Sequence, residues 1–239
     1  MTLLGPLRLV TFPRGRGFVT YQDLAGAGAE QIAAWVGEAL AHYRQDPGIT
    51  GVEWKSRGHD HAPGLYDALV QSGFAADETE SVMIGEATLL AVDATLPDGV
   101  SLRQITSEPD VRAMSAMQEE VFGGRFSDDM AADLLRRLGF GDGMELWVAE
   151  AGGEIVSSGR LEPVADTEFA GIWGGATRPE WRRRGIYRAL TAERATSALR
   201  MGKRLIHSDS TEGSRPILER AGLVKVTTTT PYMWHPPLA

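Results

Sequence analysis

The sequence predicts an α/β protein built on a mixed sheet, with two related halves, on three observations. Short alternating or β-branched runs recur between segments whose apolar residues fall at helical spacing. The pattern loses its periodicity over Gly85–Gly99, where Pro97, Asp98 and Gly99 gather, and then starts afresh. Two stretches, Gly51–Ile84 and Lys203–Trp234, also echo each other: each reads strand, polar turn with an aspartate (Asp60, Asp209), short helix, glycine, strand.

The elements follow in order. Strands are expected at Leu7–Phe12, Gly17–Tyr21, Gly51–Lys55 and Glu80–Ile84. Between them Ile32, Trp35, Val36, Leu40 and Tyr43 mark a helix over Ala29–Tyr43, and a short helix over Pro63–Ser72 ends at Gly73. In the second half Val100–Gln104 reads as a strand. Ser107–Phe122 reads as a helix with Ser107 as N-cap and Asp110 three residues on, and Ser127–Leu138 as a helix capped by Ser127. Met144–Ala149 and Glu154–Glu162 form a hairpin around Gly152-Gly153. Glu168–Thr177 is a strand, Trp181–Arg200 the longest helix, Arg204–Ser208 a strand, Ser214–Ala221 a short helix, and Val224–Trp234 the last strand. The expected domains are residues 1–95 and 96–239.

Composition narrows the chemistry. The chain has 239 residues and no cysteine, which excludes a disulfide scaffold, a zinc ribbon, an iron–sulfur cluster and a thiol nucleophile. No apolar run approaches a membrane span, and Met1–Val10 lacks the marks of an export signal, so a cytoplasmic protein without a membrane partner is expected. Net charge is −8, which opposes general nucleic-acid affinity. The charge is unevenly placed. Arg178–Arg204 holds nine basic and two acidic residues, net +7, leaving 15 basic and 30 acidic elsewhere, net −15. That asymmetry calls for an anionic ligand.

The segment from Gly174 through Arg178-Pro179 to Arg182-Arg183-Arg184-Gly185-Ile186-Tyr187-Arg188 shows where it binds. A strand enters a basic turn that opens a long helix, whose first amides lack intrahelical partners and carry the positive end of the helix dipole. Gly185 allows the main chain to approach a ligand closely, and the arginines add charge-assisted contacts. The arrangement suits a pyrophosphate, although neither the Walker nor the dinucleotide glycine fingerprint fits. The alternative is a solvated, arginine-rich helix start.

Here the chain resembles the GNAT superfamily of acyl-CoA-dependent N-acyltransferases. The family's pyrophosphate motif, Arg/Gln-x-x-Gly-x-Gly/Ala, is matched by Arg182 and Gly185, with Tyr187 departing at the last position. The likeness covers roughly residues 100–235; the first half looks like a shortened, degenerate copy without a cofactor loop, as in tandem chains of this superfamily. The resemblance implies acetyl-CoA as cofactor, held by Gly175, Ala176, Thr177, Arg182, Arg183, Arg184, Gly185, Ile186, Tyr187, Arg188 and Ser214. It implies that the strand ending at Thr177 splays from its neighbour at Leu205–Asp209, and that one strand amide polarises the thioester carbonyl. Acetyl transfer then goes directly to a primary amine, of a small molecule or a peptide, once the nitrogen has lost a proton.

Two departures bear on proton transfer. Where the family often has Asn and Tyr after the fifth strand, this chain has Thr211 and Leu218. Candidate proton-transfer residues are therefore Glu162, Asp209 and Tyr232, each of which a surface or packing role would equally explain. Trp173 reads as core or pocket wall, His207 as an ordinary strand residue, and His59-Asp60-His61 as too few ligands for a metal. A monomer or homodimer is expected. The rival reading is a non-catalytic acyl-CoA-binding or regulatory module.

Overall fold

The computed structural model describes residues 1–123 and 128–237. Its contacts gather into two units, Met1–Val82 with Val226–Ala239, and Met83–Lys225.

The first unit opens with β1 (Thr2–Leu4), β2 (Leu7–Phe12) and β3 (Arg16–Thr20), followed by α1 (Ala29–Arg44), β4 (Gly51–Arg57), α2 (Leu65–Gln71), β5 (Ala75–Ala76) and β6 (Glu80–Glu86), which runs on into the second unit. Strands β1, β2 and β3 pair antiparallel, and β3 pairs parallel with β4. On α1, Ile32, Val36, Leu40 and Tyr43 recur at three- and four-residue spacing and turn into one core with Leu7, Leu9, Val19, Val52 and Trp54. The Tyr43 hydroxyl, 3.0 Å from the carbonyls of Val10 and Phe18, satisfies its polar tip within that core.

The second unit continues with α3 (Ala87–Leu90), β7 (Val100–Ile105), α4 (Glu108–Phe122), α5 (Asp129–Leu138), β8 (Glu145–Ala151), β9 (Glu154–Pro163), β10 (Phe169–Thr177), α6 (Ile186–Arg200), β11 (Leu205–Ser210) and α7 (Arg215–Arg220). Strands β7 to β10 pair antiparallel in sequence order, and β10 pairs parallel with β11. Neighbouring residues on β8 face opposite ways, as strand geometry requires. Val148 packs into the core under α4 and α5, and Ala149 into the core under α6. The parallel connection β10–α6–β11 repeats the connection β3–α1–β4 of the first unit.

The mixed α/β class is observed, with differences in detail. The helix expected from Trp181 begins at Ile186, because Pro179–Trp181 forms a 3-10 turn and Arg183 and Gly185 take left-handed backbone angles, φ 62° and 81°. At 15 residues it is one shorter than α1. The units also differ from a division at 95/96. The last strand, β12 (Val224–Trp234), leaves the second unit and pairs Thr229–Trp234 antiparallel with β4, while residues from Met83 onward pack with the second unit. Ser127, read as a helix cap, lies outside the described residues. Ser107 caps α4 as expected, its hydroxyl accepting from the Asp110 amide at 3.3 Å and donating to the Asp110 carboxylate at 2.7 Å. Ser107→Ala should cost about 1 kcal/mol, read as a fall of roughly 2–4 °C in the midpoint of a thermal melt.

Candidate active site

The site is organised by an irregular strand. On its β9 side β10 pairs regularly to Trp173, shifts register between Trp173 and Ala176, and resumes at Ala176 and Thr177. Gly174, at φ 59°, supplies the turn that this bulge needs. Its carbonyl accepts from the Gln118 side-chain amide at 2.8 Å, and the same nitrogen lies 2.9 Å from the Ser158 hydroxyl, so α4 braces the bulge.

On its other side β10 pairs with β11 only over Phe169–Gly171, against Leu205–His207. Both strands run on beyond that point, β10 to Thr177 and β11 to Ser210. The first step past the ladder is bridged by a side chain, the Ser208 hydroxyl donating to the Ile172 carbonyl at 3.0 Å. The Arg178 amide donates to Val156 on β9, so alternation turns the amide of Thr177 away from β9 and toward the open side. The splay therefore leaves main-chain groups of β10 available to an extended ligand.

The open strand leads into the basic turn. Arg182 Nε donates to the Thr177 carbonyl at 3.0 Å, which ties the turn to the strand end. The first α6 bond runs from the Ala189 amide to Gly185, so the amides of Ile186, Tyr187 and Arg188 precede the ladder, as an anion cradle requires. The Arg184 guanidinium lies 4.9 Å from the centre of the Trp181 ring. The Tyr187 ring presses on Gly175, where a Cβ would come within 2.7 Å of it. Beside the turn a cavity of about 450 Å³ opens, lined by Leu89, Val92, Arg188, Leu218 and Arg220 among others.

The family described as acetyltransferase (GNAT) matches residues 111–223, the span that contains the bulged strand, the splay and the basic turn. Residues 111–223 are a domain of the acetyltransferase (GNAT) family. The fold as a whole is shared with solved structures of low identity. One is a GCN5-related N-acetyltransferase from Kribbella flavida, 19% identical, with TM-score 0.68, covering 100% of this chain and 89% of the other. Another, from Sphaerobacter thermophilus, is 18% identical with TM-score 0.69, covering 97% and 77%. A tandem GNAT protein from the clavulanic acid biosynthesis pathway is 15% identical with TM-score 0.63, covering 98% and 79%. A search of curated proteins gives no match. The chemistry of the GNAT domain is acyl transfer.

All of the residues expected to bind a cofactor fall within the GNAT domain. Gly175, Arg183, Arg184, Gly185 and Arg188 are exposed. Ala176 and Ile186 have buried side chains and offer only main-chain groups. Thr177 shares a 2.7 Å hydrogen bond with the Ser157 hydroxyl. Ser214 stands just ahead of α7, its hydroxyl directed at the Thr211 carbonyl. Arg178, counted in the basic window, is paired with Glu120 at 2.8 Å.

The three proton-transfer candidates are not brought together. Glu162, near the end of β9, pairs across the sheet with Gly171 and is salt-bridged to Arg160 and, at 3.3 Å, to Arg137. Asp209 follows on β11 beyond the ladder. Tyr232 lies in the first unit, in its core, stacked on Tyr66 with centroids 5.8 Å apart. Leu218 is buried in the core under α6. Among the described residues no group of three or more acidic or histidine side chains is arranged to hold a metal ion, and no helix is long and apolar enough to cross a membrane.

One buried residue escaped the sequence reading. Arg194, counted there as part of the basic stripe, is 1% exposed. Its guanidinium donates to the carbonyls of Leu190, Arg160 and Trp173 and to the Thr191 hydroxyl, and among the described residues no carboxylate is bonded to it. Burial drives its pKa downward, without removing the charge. The available signal was helical spacing, since Arg194 follows Ile186 and Leu190 on one apolar stripe of α6.

Proposed function

We propose that the GNAT domain transfers the acetyl group of acetyl-CoA to a primary amine of a small molecule or peptide. The observation that carries this reading is the conjunction of a bulged strand, open along one edge, with a left-handed basic turn that ends at free helix amides. Bound acetyl-CoA supplies an activated thioester. The amides of Ile186, Tyr187 and Arg188, with Arg183, Arg184 and Arg188, would hold its phosphates, and the open edge near Thr177 would pair with its amide-bearing arm. A main-chain N–H at the bulge would steady the charge that develops on the carbonyl oxygen. Asp209 supplies negative charge beyond the end of the ladder and favours a cationic acceptor. With Leu218 in place of the family's usual tyrosine, the thiolate leaves unassisted from that position, which a thiol pKa of about 8.5 permits.

Leu218 also favours a second reading, an acyl-CoA-binding module without turnover. Calorimetric titration with acetyl-CoA, followed by assay of CoA release over a panel of primary amines, separates the two. Saturable binding with amine-dependent release is expected. Tight binding with no release on any amine would establish the binding module, and no binding would overturn both.

A further inference from the structure

We propose that His207 is the base that takes the proton from the acceptor nitrogen in the GNAT domain, an inference that rests on the acyl-transfer reading above. Its place in the fold is specific. His207 pairs with Gly171 in the last rung of the β10–β11 ladder, so it stands where the two strands separate. The same Gly171 pairs on its other side with Glu162. One row across three strands is thus Glu162, Gly171, His207, with no side chain at its centre.

That empty centre is covered by an aromatic floor. A Cβ on Gly171 would overlap the Trp173 indole, so the indole lies over the glycine. The His207 ring meets Trp173 edge-on, with centroids 5.1 Å apart and planes at 80°, and meets Phe169 likewise at 6.0 Å and 74°. The charged groups facing the imidazole are Asp209, two residues along its own strand, and Glu162 from β9, which carries Arg160 and Arg137. With Glu162 paired to its arginines, Asp209 and the indole face form surroundings suited to an ammonium group.

Glu162 is engaged by two guanidinium groups, which leaves the imidazole as the base on this row. Burial pushes its pKa below the usual histidine value, and the nearby carboxylates oppose that shift without cancelling it. The step balances simply. The ammonium nitrogen first gives one proton to an imidazole nitrogen of His207, which frees its lone pair. The C–N bond then forms, and the adduct passes its second N–H proton through solvent to the departing sulfur. The C–S bond then breaks, the thiolate leaves with the electron pair, and the imidazolium returns its proton to solvent.

The test compares two amines in the CoA-release assay. Ethylamine arrives protonated at neutral pH, while hydroxylamine is already unprotonated and needs little help. His207→Gln should slow transfer to ethylamine by about 10²–10⁴-fold while leaving hydroxylamine within a few-fold. The wild-type rate should fall as pH drops through a histidine pKa below the usual range, and the variant should lose that limb. As a readout without acetyl-CoA, ethylamine, which stays cationic across the histidine range, should move the His207 ring resonances of the wild type and lower their titration midpoint, because a bound cation disfavours imidazolium. His207→Asn provides a second variant should glutamine disturb the fold. Equal losses on the two amines, or an unchanged acid limb, would overturn the role of His207. Absence of wild-type turnover on both amines would overturn the acyl-transfer reading itself, and with it this inference.

Discussion

Gly159→Ala is expected to destabilise the GNAT domain by about 3 kcal/mol, combining overpacking with the disturbance of hydrogen bonds to a charged group. Gly159 lies on β9 directly beneath Arg194, and an added Cβ would stand 2.5 Å from the guanidinium carbon and overlap Nη1. Elsewhere a flexible arginine would swing aside. Here it is held by four hydrogen bonds and has no solvent to enter. Two of those bonds reach Arg160 and Trp173, so its displacement also loosens the strands on either side of the bulge. The thermal midpoint should fall by roughly 6–12 °C, and acyl transfer should fall with it at temperatures where the protein remains folded. A double-mutant cycle with Arg194→Met decides the cause. Methionine leaves room for the new methyl group, so the two changes should be strongly non-additive, with Gly159→Ala costing little in the Arg194→Met background. Additive costs would show that the glycine is needed for some other reason.

Arg194 illustrates which parts of the molecule were legible in the sequence. Local rules carried far. Strand alternation, helical spacing and the Ser107 cap place most elements within a few residues, since each depends on neighbours in the chain. The basic turn was legible for the same reason: its glycine, proline and arginines fall within one short stretch of chain, and the amides that make an anion site are those at the start of α6. Properties set by long-range pairing were not legible. That β12 pairs with β4 depends on partners more than 160 residues apart in the chain, and periodicity is blind to partners. His207 reads as one more alternating strand residue until the end of the β10–β11 ladder is known. Tyr232 suffers the converse error, because its place on the last strand suggests chemistry, whereas its stacking on Tyr66 uses it in packing. Arg194 was misread because charge ordinarily signals solvent, and only the four backbone and hydroxyl acceptors around it reverse that expectation.

Gly185→Asp is expected to abolish measurable acetyl-CoA binding while the fold survives. The residue is the N-cap of α6 and holds φ 81°, a left-handed conformation that costs a side-chain-bearing residue about 1 kcal/mol and aspartate less than most. The space outside it is tolerable, with the nearest atom to an added Cβ being the Thr95 carbonyl oxygen at 3.4 Å. A negative charge at a helix N-terminus is favourable to the helix, so the strain is offset and the thermal midpoint should move by no more than about 4 °C. The ligand meets the opposite situation. On the proposed function its phosphates would use the same amides, of Ile186, Tyr187 and Arg188, now faced by a carboxylate, and Arg183 and Arg184 would gain an anion of the protein's own. Losing two charge-assisted hydrogen bonds at about 1.5–3 kcal/mol each removes at least a hundredfold in affinity, and repulsion between like charges adds to it. Gly185→Ala separates the two causes, since it keeps the strain and omits the charge: a loss of about tenfold or less is expected. Titration of the three proteins with acetyl-CoA should rank them wild type, alanine, aspartate. If the aspartate variant binds as the wild type does, the basic turn is not where the phosphates go, and the +7 segment needs another explanation.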